Sequence, residues 1–213
     1  MNMPLMNSMN APISVIVLGT RNRKKAEELV DHLAGLPIEL RTLADFPNAP
    51  EVVEDGVTFI ENARKKAIEL SRALGQWVLG EDSGLAVDAL GGRPGVFSAR
   101  FAGEGATDDV NNRKLLEELS NLPDERRTAH YVCTAALADP AGNIHIEVEG
   151  RCNGRIGREF HGAHGFGYDP LFVIPEYHRT FGELGLLVKR HLSHRARAIA
   201  RLRPALWSLL RGQ

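Results

Sequence analysis

Gly80-Glu81-Asp82-Ser83-Gly84-Leu85-Ala86-Val87-Asp88 follows directly on the apolar run Trp77-Val78-Leu79. The run reads as a buried strand, and the two acids then fall at its carboxyl end, where open α/β sheets bind ligands. A turn over Ser83-Gly84 is expected to lead into a further strand at 84–90. Successive strand residues point to opposite faces, so one acid can face a cleft while the other meets a second site or a supporting hydrogen bond. The cleft acid has the chemistry to hold a metal or to activate water. The alternative is a surface turn whose acids are solvated.

Upstream, residues 13–18 are a β-branched run ending at Gly19, and 23–33 place Ala26, Leu29, Val30 and Leu33 on one helical face. This is a strand-loop-helix unit. A second strand is predicted over 38–43, followed by a Pro- and acid-rich loop through Asp55. Thr58-Phe59-Ile60-Glu61 fits a capping box that opens a helix running to about Gly75. Downstream, the glycines and Pro94 of 91–105 argue against a helix, whereas 108–122 is amphipathic with acids in its first turn. Residues 127–139 and 144–151 read as strands paired around the turn Asp139-Pro140-Ala141-Gly142-Asn143, and 171–174 as another. Residues 193–210 close the chain as a helix in which Pro204 should cause a kink or split near 200–203, at a cost of about 3 kcal/mol. The order is that of an α/β protein. No internal repeat, coiled coil or low-complexity tract occurs.

At 213 residues the chain can build one large or two small lobes around a substantial core. With 26 basic and 27 acidic side chains, its charge argues against a broad basic surface for nucleic acid but allows a local basic pocket for a small polyanion. The two cysteines, Cys133 and Cys152, lack metal-ligand spacing and read as buried thiols in a reducing, cytoplasmic compartment. No apolar run approaches transmembrane length. Residues 1–12 alternate Met and Asn without a basic-then-apolar pattern, and read as a flexible leader ahead of one domain over 13–212.

The loop Gly19-Thr20-Arg21-Asn22-Arg23-Lys24-Lys25 brings free backbone N–H groups, a hydroxyl, an amide and several cations to one helix N-terminus. That favours a polyanion site over a solvated charge run. It is neither a P-loop nor a dinucleotide fingerprint. In His164-Gly165-Phe166-Gly167-Tyr168-Asp169-Pro170, small residues flank Phe166 so that a flat ligand can approach its ring, and Asp169 can accept from a base edge. The alternative is a core plug and an ordinary turn acid. In Lys189-Arg190-His191-Leu192-Ser193-His194-Arg195, Ser193 is a good N-cap, and His194 and Arg195 oppose the helix dipole. Cations so placed suggest a ligand; an exposed basic surface is the alternative.

Together these motifs resemble the inosine triphosphate pyrophosphatase (Ham1-like) family, which hydrolyses noncanonical purine nucleoside triphosphates to monophosphate and pyrophosphate. The resemblance rests on Thr20-Arg21-Asn22-Arg23-Lys24-Lys25, on Glu54 to Ala63, on the acid stretch with Gly91-Gly92-Arg93-Pro94-Gly95, on Gly165 to Pro170, and on Ser193-His194-Arg195. Two departures stand out. Many bacterial relatives have Asp-Asp-Ser where this chain has Glu81-Asp82-Ser83, and Gly185-Leu186-Leu187-Val188 replaces a segment usually rich in Thr and Glu.

The resemblance implies a long mixed central sheet with flanking helices, forming two lobes around an active-site cleft, in a homodimer. It implies Asp82 as general base or magnesium ligand and Glu54 as a second ligand. Thr20, Arg21, Asn22, Arg23, Lys24, Lys25, Lys66 and Ser83 would contact the phosphates. Phe166, Gly167, Tyr168, Asp169, Lys189, His194 and Arg195 would form the purine pocket, with His194 and Arg195 donating to the six-position oxygen. The implied partner is a purine nucleoside triphosphate, with no stable nucleic-acid partner and no membrane. The competing expectations are a catalytically silent purine-nucleotide-binding regulatory module and a nucleic-acid-binding protein using 189–203.

Overall fold

The computed structural model describes residues 13–212, and the leader expected at 1–12 lies outside them. Among the described residues seven strands form one sheet: β1 (Val15–Gly19), β2 (Glu39–Thr42), β3 (Trp77–Val87), β4 (Thr128–Ala138), β5 (Ile144–Ile156), β6 (Phe172–Ile174) and β7 (Arg179–Thr180), in the spatial order β2-β1-β3-β4-β5-β6-β7. β1 lies parallel to β2 and β3. From β3 onward every pairing is antiparallel. The helices are α1 (Arg23–Leu33), α2 (Phe59–Leu74), α3 (Asp108–Glu118), α4 (Phe181–Leu192) and α5 (His194–Leu210).

The expected break after Leu79 is absent. β3 runs unbroken through Glu81, Asp82, Ser83 and Gly84, because β4 pairs with it continuously from Val78↔Ala138 to Val87↔Ala129. That ladder satisfies the backbone groups a turn would otherwise occupy, and long-range pairing overrides the local Ser-Gly signal. It is β1 that stops: Gly19, opposite Gly80, is its last paired residue. The acids therefore stand one step beyond the end of the parallel half of the sheet, on a strand that continues without its neighbour.

Apolar clusters flank this point. One joins Leu79 and Leu18 to Leu29 of α1 and Ile199 and Leu202 of α5; a second joins Val17 and Val78 to Leu70 of α2. The third gathers Leu85, Val87, Tyr131, Phe172 and Phe181 around the antiparallel half. Gly80 lets α2 lie directly on β3, since a Cβ there would run into the carbonyl oxygen of Ala63. That close approach brings Asn62 and Lys66 of α2 to Asp82.

The capping box forms as expected: Thr58 accepts from the Glu61 amide, and Gly75 closes α2 in the left-handed conformation. α4 was not expected. Its signal was Thr180-Phe181-Gly182-Glu183, a second capping box, but Gly185 interrupts the periodicity. At Gly185 the chain leaves helical geometry (φ 76°, ψ 175°), a conformation open essentially to glycine. α5 passes through Pro204 without a split. Ala200 and Pro204 both face solvent, so water can serve the carbonyl that proline leaves without a partner. No helix among the described residues is long and apolar enough to cross a membrane.

Candidate active site

The cleft opens where β1 ends. Asn22 caps α1, its Oδ1 accepting from the Lys25 amide at 3.1 Å, and Thr20 Oγ1 accepts from the Asn22 amide at 3.2 Å. α1 has no acid in its first turn, so the partial positive charge of its N-terminus stays uncompensated at the cleft mouth. Lys25 reaches inward to Glu81, with Nζ 3.2 Å from Oε2.

Glu81 and Asp82 face opposite sides of β3, as strand alternation requires. Glu81 shares its face with Leu79 and meets α1 and α5. Burial would raise its carboxyl, but Lys25 and Arg195 hold it well below the ordinary glutamate range. Asp82 shares its face with Val78 and meets α2. Asn62 Nδ2 donates to Asp82 Oδ2 at 3.1 Å, and Lys66 Nζ lies 3.7 Å from Oδ1. Burial raises the Asp82 carboxyl, with Lys25 and Lys66 opposing and Glu54 and Glu81 adding to the rise. Lys66 also donates to Glu54 Oε2 at 2.7 Å.

The other end is aromatic. Asp169 is buried and accepts from the Phe166 amide at 2.9 Å and from Lys189 Nζ at 2.7 Å. The Lys189 ammonium lies 4.0 Å from the Phe166 ring centroid and 3.0 Å from Glu28 Oε1. His194 stacks on Tyr131 at 4.6 Å between centroids. Burial, then the fields of Arg195 and Lys189, hold its imidazole neutral, well below the usual histidine value. Arg195 pairs with Glu28 through Nη1, and its Nη2 donates to Glu81 Oε1 and Ser83 Oγ, both at 2.9 Å. His194 Nδ1 and Arg195 Nε are buried without a hydrogen-bond partner.

One cavity of about 330 Å³ gathers Thr20, Arg21, Asn22, Lys25, Glu54, Lys66, Asp82, Ser83, Phe166, Gly167, Tyr168, Asp169, Lys189, His194 and Arg195, within the usual size range of ligand pockets. Two expected residues stand apart. Arg23 points to solvent and pairs with Glu27, and Lys24 approaches Phe166 from outside, 5.5 Å from the ring centroid. Tyr168 lines the wall while its hydroxyl donates to the Ser98 carbonyl at 2.8 Å. Arg195 sits in the pocket, yet both its terminal nitrogens are held by protein oxygens.

Sequence reading passed over Glu28, Asn62, Tyr131 and Arg100. Glu28 and Asn62 had a signal, each lying one helical turn from a lysine of the site on the same face: Lys25 with Glu28, and Asn62 with Lys66. Tyr131 and Arg100 reach the cleft only through tertiary packing.

Magnesium prefers one or two carboxylates plus substrate phosphates over an all-protein cage. Glu54 and Asp82 converge on one ammonium, that of Lys66, so the same two carboxylates face a common point that already attracts positive charge. No group of three or more such ligands occurs among the described residues. The pair therefore fits a metal whose shell the substrate completes.

A cleft that is cationic at one end and aromatic at the other, with acids between, on a mixed sheet at the point where a parallel strand stops, defines an α/β protein built around a nucleotide-shaped site. The Ham1 family model matches residues 16–205, and the chain belongs to that family. It is 55% identical over 195 residues to a dITP/XTP pyrophosphatase of Rhodopirellula baltica, covering 92% of this chain and 94% of the relative. A dITP/XTP pyrophosphatase of Geobacter sulfurreducens is 50% identical, covering 88% and 94%. Among solved structures, a Ham1 protein from Coxiella burnetii superposes with a TM-score of 0.85 at 37% identity, covering 92% of this chain and all of that one.

Proposed function

We propose that this chain hydrolyses noncanonical purine nucleoside triphosphates of the dITP and XTP type to the nucleoside monophosphate and pyrophosphate. The observation that carries the proposal is the single cleft in which the α1 N-terminus, the pair Glu54 and Asp82 around Lys66, and the Phe166–Asp169–Lys189 pocket meet. A triphosphate lying along the α1 terminus places its base on Phe166 and its α-phosphate near Asp82.

Asp82 is the general base. Its raised carboxyl makes it a better proton acceptor than an ordinary aspartate. It takes a proton from water as the water oxygen bonds to the α-phosphorus; the bridging bond to the β-phosphate breaks, and pyrophosphate departs. Lys25 and Lys66 are fixed before the reaction by Glu81 and Glu54, and they meet the charge that develops on the leaving group. Thr20, Asn22 and Ser83 hold phosphate oxygens. Glu54 and Asp82 would hold magnesium, which supplies charge neutralisation for the phosphates and a more acidic water.

For base selection, Asp169 accepts from ring N–H groups, while Lys189, His194 and the Nε of Arg195 present donors to the six-position oxygen of hypoxanthine or xanthine. Adenine carries an amino donor there. Donor against donor in a buried pocket costs about 1–3 kcal/mol for each unpaired group and disfavours ATP. A homodimer in the cytoplasm is part of the same proposal. Carboxylates and lysines already converged around one point of the cleft favour turnover over silent binding. The test is pyrophosphate release from dITP, XTP, GTP and ATP with and without magnesium; release from dITP and XTP alone, lost on chelation, supports it, and equal turnover of ATP overturns it.

A further inference from the structure

The charges lining the cleft fall into two groups. Lys25, Lys66, Lys189 and Arg195 each have a carboxylate within 3.2 Å: Glu81, Glu54, Asp169 and Glu81 respectively. Their charge is largely balanced before any ligand arrives. Arg21 and Arg100 also line the cleft, and neither has a carboxylate partner among the described residues. Arg21 donates to the Ala49 carbonyl at 2.7 Å, and Arg100 Nη2 donates to the Glu54 carbonyl at 3.3 Å. These two guanidiniums thus hold the two ends of the segment 49–54, which carries Glu54. Arg100 is half-buried, and its guanidinium carbon lies 5.3 Å from the Phe97 ring centroid. A planar cation on an aromatic face, bonded only at one nitrogen and through a long contact, keeps most of its five donors for a ligand.

We propose that Arg100 is a substrate-binding residue that grips the two phosphates leaving as pyrophosphate, acting across the cleft from Arg21 and the α1 N-terminus. This inference rests on the triphosphate reading of the site. A triphosphate brings about four negative charges at neutral pH, and cations already paired with carboxylates meet only part of that. Arg21 and Arg100 supply positive charge that no side chain cancels, in the forked geometry that suits phosphate oxygens. Glu51, on the same segment, is exposed, so its opposing field is screened more than that of half-buried Arg100.

The rival reading is that Arg100 merely tethers Glu54 through its carbonyl. Arg100→Gln separates the two, since glutamine can still donate to that carbonyl but carries no charge. Magnesium pyrophosphate and inosine monophosphate are each titrated calorimetrically into the wild type, Arg100→Gln and Arg100→Ala. In both variants the dissociation constant for pyrophosphate should rise about tenfold or more, the loss of one charge-assisted bond, while that for the monophosphate changes less than about twofold. Unchanged pyrophosphate affinity in Arg100→Gln, or equal losses for both ligands, overturns the proposal. Binding is read directly, so a wild type that binds pyrophosphate without turning over dITP would defeat the functional reading and leave this test standing.

Discussion

Glu81 and Asp82 are adjacent in sequence, both buried, and pushed in opposite directions: Glu81 is held well below the ordinary carboxylate range and Asp82 is raised above it. Strand alternation turns Glu81 toward Lys25 and Arg195, whose fields outweigh its burial, and Asp82 toward α2, where burial, with Glu54 and Glu81 adding to it, outweighs Lys25 and Lys66. One acid is therefore a fixed anion that organises cations, and the other has the raised proton affinity that suits the base role proposed for it. Two carboxylates with their proton affinities driven apart commonly mark a division of catalytic roles.

Replacing Asp82 should cost activity and add stability. Asp82→Asn is expected to lower turnover of dITP by about 10² to 10⁴, the usual contribution of a positioned base, while nucleotide binding stays measurable. The raised folded value means that the ionised form opposes folding at neutral pH, and that the folded state gains as pH falls through it. The asparagine variant, without nucleotide or metal, should melt at a higher temperature than the wild type at pH 7. Near-normal turnover in the folded variant would remove Asp82 from the base role.

Glu81→Gln acts with the other sign. Its folded carboxyl lies below the ordinary 4.5, so it contributes stability above that pH and loses it as pH falls toward the folded value. The variant leaves Lys25 and Arg195 buried without their shared negative charge, and a loss of about 3 kcal/mol is expected at pH 7. Urea unfolding across pH 3 to 7 should show the gap between the two proteins closing in acid; a constant gap would mean that packing, not charge, carries the effect.

Lys25→Ala should weaken binding of inosine triphosphate about tenfold or more while leaving inosine nearly unaffected, because the ammonium lies by the α1 N-terminus, the end of the cleft proposed to take the phosphates. Calorimetric titration of both ligands decides this, and parallel losses would indicate a disturbed Glu81 network in place of a lost phosphate contact.

Base selection is tested at Lys189, whose ammonium lies between Asp169, Glu28 and the Phe166 ring. Lys189→Met keeps most of the side-chain volume and removes the donor. The ratio of kcat/KM for dITP over ATP should shrink by about tenfold or more, equivalent to roughly 1–3 kcal/mol. A ratio that stays constant while both reactions slow would make Lys189 a structural partner of Asp169.

The sequence by itself determined what depends on near neighbours. The N-caps Thr58 and Ser193 sit where their spacing to the following helix places them, because a cap is a bond across three residues. The opposite facing of Glu81 and Asp82 follows from the pleat alone, and the motifs from Thr20 to Arg195 marked most of the cleft walls. Tertiary structure decided what depends on distant partners. Whether 80–84 turns or continues was settled by β4, some fifty residues away, whose ladder holds β3 straight through a Ser-Gly signal. Glu28 becomes the partner of two cleft cations only because α4 and α5 deliver Lys189 and Arg195 to it, and Arg100 gains its partner only because residues 49–54 fold back to meet it. α5 could keep Pro204 because packing leaves that side of the helix in water. A local pattern carries the cost of a conformation, whereas the contacts that offset it, and the fields that set each acid's proton affinity, come from residues that only the folded chain brings within a few ångströms.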